Sequence, residues 1–255
     1  MVDHASARSW NNYGTTSLDS FNITKISFGR HNYQFVNDPT GVEGKVLRVF
    51  YPKGSRTPTS PGKRGGFGFY AQPLPLDLEV TLEYKVYFPK GFDFVKGGKL
   101  PGLYGGDSTC PDGKNSRKCV TTRYMWRTQG AGELYAYLPL DQNREYCELP
   151  PKSVCNPKYG DSLARGSFHF VPGTWHTLRQ SLRMNDVGKQ NGLIRVWSNG
   201  QLVINYDKAV FRTEEGIHNI GLVFHTFFGG ADPSYRTPKN QYSYFKDFKM
   251  YNYIE

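Results

Sequence analysis

The chain has no apolar run near the ~18 to 20 residues that a membrane-spanning helix needs, so no membrane partner is expected. Its opening residues, MVDHASARSWNNYG, contain no hydrophobic h-region and do not read as a signal peptide. Cysteine is scarce, with four in 255 residues and no Cys-x-x-Cys pair. The wide spacings weaken a zinc site, and no resident metal or cofactor is expected. Long helical periodicity and internal repeats are also missing, and Pro or Gly punctuates most intervals. Acidic residues are in deficit. No Glu-x-Asp-x-x-Glu run occurs, and Asp77 and Glu79 alternate suitably but stand alone, which weighs against a glycoside hydrolase with its paired carboxylates. The basic residues are scattered over loops without a recognised nucleic-acid motif, which weighs against DNA or RNA as partner.

What is present starts with charge. Lys plus Arg number 32 against 22 Asp plus Glu, a net charge of +10 that favours a polyanionic partner by long-range attraction. The cysteines fall in two close pairs within turn-rich segments, and local bridges Cys110–Cys119 and Cys147–Cys155 fit, although four cysteines allow three pairings. Disulfides imply an oxidising setting.

Strand signals dominate. In EVTLEYKVYF, Val80, Leu82, Tyr84, Val86 and Phe88 share one face, the period of two expected of a strand with one buried side. KVLRVFY, from Lys45 to Tyr51, is β-branched and aromatic and stops at Pro52. LIRVWSNGQLVIN reads as a hairpin turning at Asn199-Gly200. Asn219 to Phe228 and Tyr242 to Tyr253 supply late strands, and the basic stretch Pro52 to Gly66 reads as an exposed loop. Many strands with no break in composition predict one all-β domain over residues 1–255, a sandwich or jelly roll, with the first ~15 residues as a peripheral arm.

Two segments could carry chemistry. KGGKLPGLYGG, from Lys96 to Gly106, reads as neither a regular strand nor a helix, because its glycines and proline break both patterns. Downstream, VTTRYMWRTQGAGELYAYLP reads as two strands about a Gln129–Gly132 turn. Alternation places Thr121, Arg123, Met125 and Arg127 on one face, and Tyr135 and Tyr137 on one face of the next strand. If the two faces coincide, they form a polar patch that Lys99 overhangs.

These residue types suit one reaction. In a polyuronate the proton on C5 lies alpha to a carboxylate, and the leaving oxygen sits on C4. Removing that proton builds charge on a group already anionic, which Arg or Lys offsets with charge-assisted hydrogen bonds. A base must reach the proton and an acid the departing oxygen. Free tyrosine titrates near ~10, so a tyrosine base needs cations such as Lys99 and Arg123 nearby, and activity at alkaline pH follows. Other readings compete. Tyr135 and Tyr137 also read as ordinary strand tyrosines. Arg127 reads as an ion-pair residue, Lys96 as solvated, and His225, beside Phe224 and Phe227, as a hydrogen-bonded sheet histidine.

KGGKLPGLYGG, TTRYMWR and ELYAYLP, in that order and spacing, resemble polysaccharide lyases of family 14. That family includes alginate and polyglucuronate lyases of chlorella viruses and herbivorous molluscs, with fungal glucuronan lyases as more distant relatives. The likeness extends less sharply to KVLRVFYPKGS, IRVWSNGQLV, HTFFGG and YSYFKDF. It implies a single-domain β-jelly roll of two antiparallel sheets whose concave face binds the uronate chain, and metal-independent β-elimination without a cofactor. Carried over, the essential lysine falls on Lys99, the arginine on Arg123 and the paired tyrosines on Tyr135 and Tyr137. A serine two before the arginine is replaced here by Thr121, which keeps the hydroxyl and adds a methyl. Thr121, Lys96, Arg127 and His225 are the candidates for substrate contact. The expected partner is an acidic polysaccharide bound by a monomer, outside the cell or on a virion, at a host cell wall. A jelly-roll lectin that holds acidic glycans without cleaving them is the second reading, since the same cations and rings would serve binding alone.

Overall fold

The computed structural model describes residues 8–75, 77–106, 119–156 and 159–252, and all statements below concern these. Fifteen strands follow one another: β1 (Ser9–Asn11), β2 (Ile23–Phe28), β3 (Tyr33–Asn37), β4 (Lys45–Tyr51), β5 (Phe67–Ala71), β6 (Glu79–Tyr87), β7 (Gly97–Gly106) and β8 (Cys119–Arg127). They continue as β9 (Ala131–Tyr137), β10 (Asp161–His169), β11 (Trp175–Arg183), β12 (Gly192–Ser198), β13 (Gln201–Ala209), β14 (Asn219–Phe228) and β15 (Gln241–Tyr251). The helical elements among the described residues are four short 3-10 turns. One sheet runs β13-β12-β11-β6-β15-β4-β3, with β1 added against β15, and the other runs β10-β9-β8-β7-β14-β5-β2. All the ladders are antiparallel, giving the two-sheet jelly roll. No helix among the described residues is long and apolar enough to cross a membrane.

The alternating pattern of β6 does what its period dictates. Val80, Leu82, Tyr84, Val86 and Phe88 are all buried, in one core cluster with Phe69, Trp126 and Phe224 of the opposite sheet. The predicted hairpin forms between β12 and β13, with both Asn199 and Gly200 at positive φ, the backbone such a two-residue turn requires. Within the first ~15 residues, Ser9–Asn11 pair with Tyr251–Lys249, and the Trp10 ring lies 5.3 Å from that of Phe21. Cys147 and Cys155 form a disulfide. The Cys110–Cys119 pairing falls on a residue outside the described ones.

The segment Lys96 to Gly106 corrects the sequence reading. From Gly97 onward it is a strand, β7, in the interior of the second sheet between β8 and β14. Its glycines exist because larger neighbours occupy their space. A Cβ on Gly98 would lie 2.0 Å from the Trp126 ring, and one on Gly102 would lie 1.9 Å from the Thr122 carbonyl oxygen and 2.6 Å from the Arg123 Cα. The β7–β8 ladder pairs Leu100 with Tyr124 and Gly102 with Arg123, so Pro101 is the extra residue of a bulge. Its carbonyl accepts a hydrogen bond from Tyr84 Oη at 2.9 Å. Propensity argues against a strand here, and packing overrides it.

Gly102→Ala tests this close approach. The methyl group must displace backbone, which costs about 1–3 kcal/mol. A lowered thermal midpoint is expected, and an unchanged one would show that β7 and β8 are not so tightly apposed.

Candidate active site

The register of three ladders decides which side chains meet. Thr121 pairs with Tyr137, Arg123 with Tyr135 and Met125 with Glu133 across β8 and β9. On the other side of β8, Lys99 pairs with Met125, Gly102 with Arg123 and Tyr104 with Thr121. Simple alternation would set Lys99 and Tyr104 on opposite faces, and the Pro101 bulge restores them to one. Gly102 offers no side chain there. Arg123 therefore reaches across it to His225 of β14, with Nη1 3.4 Å from Nδ1. The polar patch expected from sequence is thus assembled on the outer face of the second sheet, and Lys99 rises from within the sheet instead of from an overhanging loop.

Lys99 is 7% exposed, with Nζ 3.5 Å from the centre of the Tyr135 ring and 3.0 Å from Met125 Sδ. A desolvated ammonium over an aromatic face gains about 2 kcal/mol, which partly offsets its burial. Arg123 is 1% exposed, its guanidinium carbon 5.4 Å from the centre of the Tyr137 ring. The Tyr135 and Tyr137 rings meet edge to face at 5.5 Å. Burial raises the pKa of Tyr135, against the lowering effects of its hydrogen bond with Tyr137 and of the Arg127 and Arg123 charges. Thr121 Oγ1 is buried and has no hydrogen-bond partner among the described residues.

The other candidates are placed as follows. His225 stands between the rings of Phe28 and Tyr70, at 5.3 and 5.0 Å, and its Nε2 lies 3.2 Å from Ser27 Oγ. Arg127 is ion-paired with Glu133 at 2.6 Å, at the edge of the same face. Lys96 is exposed in the turn before β7 and donates to Ser234 Oγ at 2.7 Å.

Sequence reasoning missed several neighbours. Glu133 lies two residues before Tyr135, so alternation would have found it. Tyr70 and Tyr104, 4.9 Å apart, wall the patch beside His225, and burial lifts the Tyr104 pKa to about 12. Arg165 carries no sequence signal, because it lies in the irregular stretch of β10 after Ala164, which adopts positive φ. Among the described residues no group of three or more His, Cys, Asp or Glu could hold a metal ion.

The face therefore offers two buried cations, two contiguous phenols, a histidine and a hydroxyl. That set can bind an anion and exchange protons with it. Comparisons with known proteins agree in kind. The sequence model described as Polysaccharide lyase 14 matches residues 39–248. A PL-14 alginate lyase from the marine Aplysia kurodai is 34% identical, with a TM-score of 0.80 over 95% of this chain and 97% of that one. The alginate lyase vAL-1 from Chlorella virus is 26% identical, with a TM-score of 0.73 over 92% and 93%. Exolysin of Paramecium bursaria Chlorella virus 1 is 26% identical over 195 residues, which span 68% of this chain and 29% of that longer protein. With a family match over most of its length and a shared fold over nearly all of it, the chain belongs to polysaccharide lyase family 14.

Proposed function

We propose that the protein is a polysaccharide lyase that cleaves acidic polyuronates, alginate or glucuronan, by β-elimination. The observation that carries this reading is the convergence of Lys99 and Arg123 on the paired rings of Tyr135 and Tyr137, in one buried patch. The alginate-lyase relatives support the polymer class, and their marine and chlorella-virus sources support an algal wall as the setting.

In this scheme Arg123, with His225 beside it, takes the carboxylate of the sugar to be cleaved and offsets the charge that develops on it. Thr121 supplies the adjoining hydroxyl, whose oxygen lacks a protein partner among the described residues. Tyr135 holds its proton because burial raises its pKa, so it suits the acid that protonates the departing O4. Tyr137, ionised, is the base that removes the C5 proton. The C5–H electrons become the second bond of C4=C5 as the C4–O4 bond breaks. Afterwards Tyr137 is neutral and Tyr135 ionised, and their mutual hydrogen bond returns the proton. The pair thus works as a unit that carries one negative charge, stabilised by Lys99 and Arg123.

Incubation with glucuronan and with alginate should raise absorbance near ~235 nm as the unsaturated uronate accumulates. Tyr135→Phe, Tyr137→Phe, Arg123→Ala and Lys99→Ala should each lower turnover by about 10² or more. No absorbance rise on either polymer, with the chain still bound to them, would leave a lectin instead. The pH profile provides a second test. Turnover needs the first proton off the pair and the second still on, so the rate should climb from neutral toward alkaline pH. It should fall only above the ordinary tyrosine range of about 10, because the raised pKa of Tyr135 keeps its proton in place up to there. An optimum below pH 7 would contradict the paired-tyrosine scheme.

A further inference from the structure

Beyond Tyr135 the same face opens into a cleft of about 350 Å³, within the ~300–1,000 Å³ range of small-ligand sites. Behind its lining residues Arg127, Ser162 and Arg165 lies Glu133, with no exposure to solvent. Its carboxylate accepts from Arg127 Nε at 2.7 Å and Nη2 at 2.6 Å, from Arg165 Nε at 2.7 Å, and from Ser162 Oγ in a short hydrogen bond. Two guanidinium groups therefore share one carboxylate and keep a net positive charge, and both line the cleft. Their exposure increases outward: the side chain of Glu133 is fully buried, that of Arg127 is 15% exposed and that of Arg165 is 30% exposed. Glu133 engages neither Nη1. One carboxylate cannot satisfy the N–H donors of two guanidinium groups, so those at the cleft mouth retain capacity for another anion.

The far wall carries the carboxylate of Asp232, which accepts from the Ser234 hydroxyl and from the Ser234 backbone N–H at 2.8 Å; these bonds, with the charges of Lys96 and Arg56 nearby, hold its pKa down and keep it ionised. Lys96 donates to the same hydroxyl. Tyr235 on this wall and Tyr159, half-exposed on the other, flank the opening with rings on which a pyranose can lie. Lys99 and Tyr135 also line the cleft, so it is continuous with the site of elimination.

We propose that this cleft is a second uronate subsite. It takes the sugar unit that follows the one held at Tyr135, and Arg165 with Arg127 binds that unit's carboxylate. Glu133 is a positioning residue, which holds two like-charged guanidinium groups side by side and aims them into the cleft. The proposal rests on the polyuronate reading above, and it makes specificity depend on carboxylates at successive units, not at the cleaved unit alone.

The test pairs binding with kinetics, using Arg165→Ala, whose side chain is partly exposed and whose loss leaves the Arg127–Glu133 pair intact. Oligouronates of increasing length, and their carboxyl-reduced neutral counterparts, are titrated calorimetrically into the wild type and the variant. Arg165→Ala should weaken binding of the longer uronates about tenfold, the loss of one charge-assisted hydrogen-bond contact, and leave binding of the neutral chains unchanged. In turnover, kcat/KM should fall by a similar factor on oligomers long enough to fill the cleft, through KM, and be unchanged on the shortest cleavable one. Arg165→Lys, which keeps the charge, should recover part of the loss, and Glu133→Gln should reproduce it. Wild-type behaviour of Arg165→Ala at every length would overturn the subsite, and so would an equal loss at every length with a lowered melting midpoint, which would mark a structural ion pair. Arg165-dependent binding of uronates that the wild type never cleaves would overturn the lyase reading and leave the subsite standing.

Discussion

β7 can lie between β8 and β14 only because Gly98 and Gly102 leave room for Trp126 beneath and for the Arg123 backbone alongside. Three consequences follow from that one packing constraint. Trp126 fills the core side, where it is fully buried and donates from Nε1 to the Phe94 carbonyl. On the opposite side, the absent Gly102 side chain lets Arg123 on β8 and His225 on β14 meet across an intervening strand. The Pro101 bulge then sets the parity that returns Lys99 to the same face. A β-branched residue at any of these positions would favour a regular strand and disassemble the site. Local strand propensity has been given up where the packing brings the backbones close.

Burying cations on a sheet face is costly unless each finds compensation. The structure supplies it in two different ways at the two ends of the patch. At one end Arg127 and Arg165 are neutralised in part by Glu133, whose carboxylate is fully buried behind them. At the other end Lys99 rests on the Tyr135 ring and the Met125 sulfur, soft partners that help to stabilise its charge.

Much of this was legible in the sequence, and the exceptions have physical causes. β6 could be read from alternation, β4 from its β-branched and aromatic run, and the β12–β13 hairpin from Asn199-Gly200, because a half-buried strand obeys a period of two and such a turn has fixed backbone demands. Alternation in TTRYMWR and GELYAY also placed Arg123 and Tyr135 correctly, since β8 and β9 run without a bulge through that stretch. β7 was opaque for the opposite reason. Its glycines respond to Trp126 and Arg123, residues more than twenty positions downstream, and nothing local in KGGKLPGLYGG shows that those bulky groups lie against it. Arg165 was equally hidden, because the positive φ at Ala164 disrupts the period that would have assigned it a face.

The two sheets divide the work unequally. Apolar contact between their inner faces would hold them together but would tolerate small slides, because dispersion is not directional. Polar bridges cross that interface at the strands that carry the site. Tyr84 of β6 holds the Pro101 carbonyl on β7, and Gln180 of β11 both accepts from Thr122 Oγ1 at 2.6 Å and donates to the Thr122 carbonyl at 3.2 Å on β8. Tyr51 of β4 bridges Thr226 on β14 and Ser243 on β15. Each anchored residue is the immediate neighbour of a space-making residue or of one in the polar patch: Pro101 of Gly102, Thr122 of Thr121 and Arg123, Thr226 of His225. Hydrogen bonds in a dry interior are directional, and breaking one strands a buried polar atom at a cost of about 1–3 kcal/mol. The first sheet therefore fixes the relative heights of β7, β8 and β14, and the distances between their charged groups are set from the far side of the core.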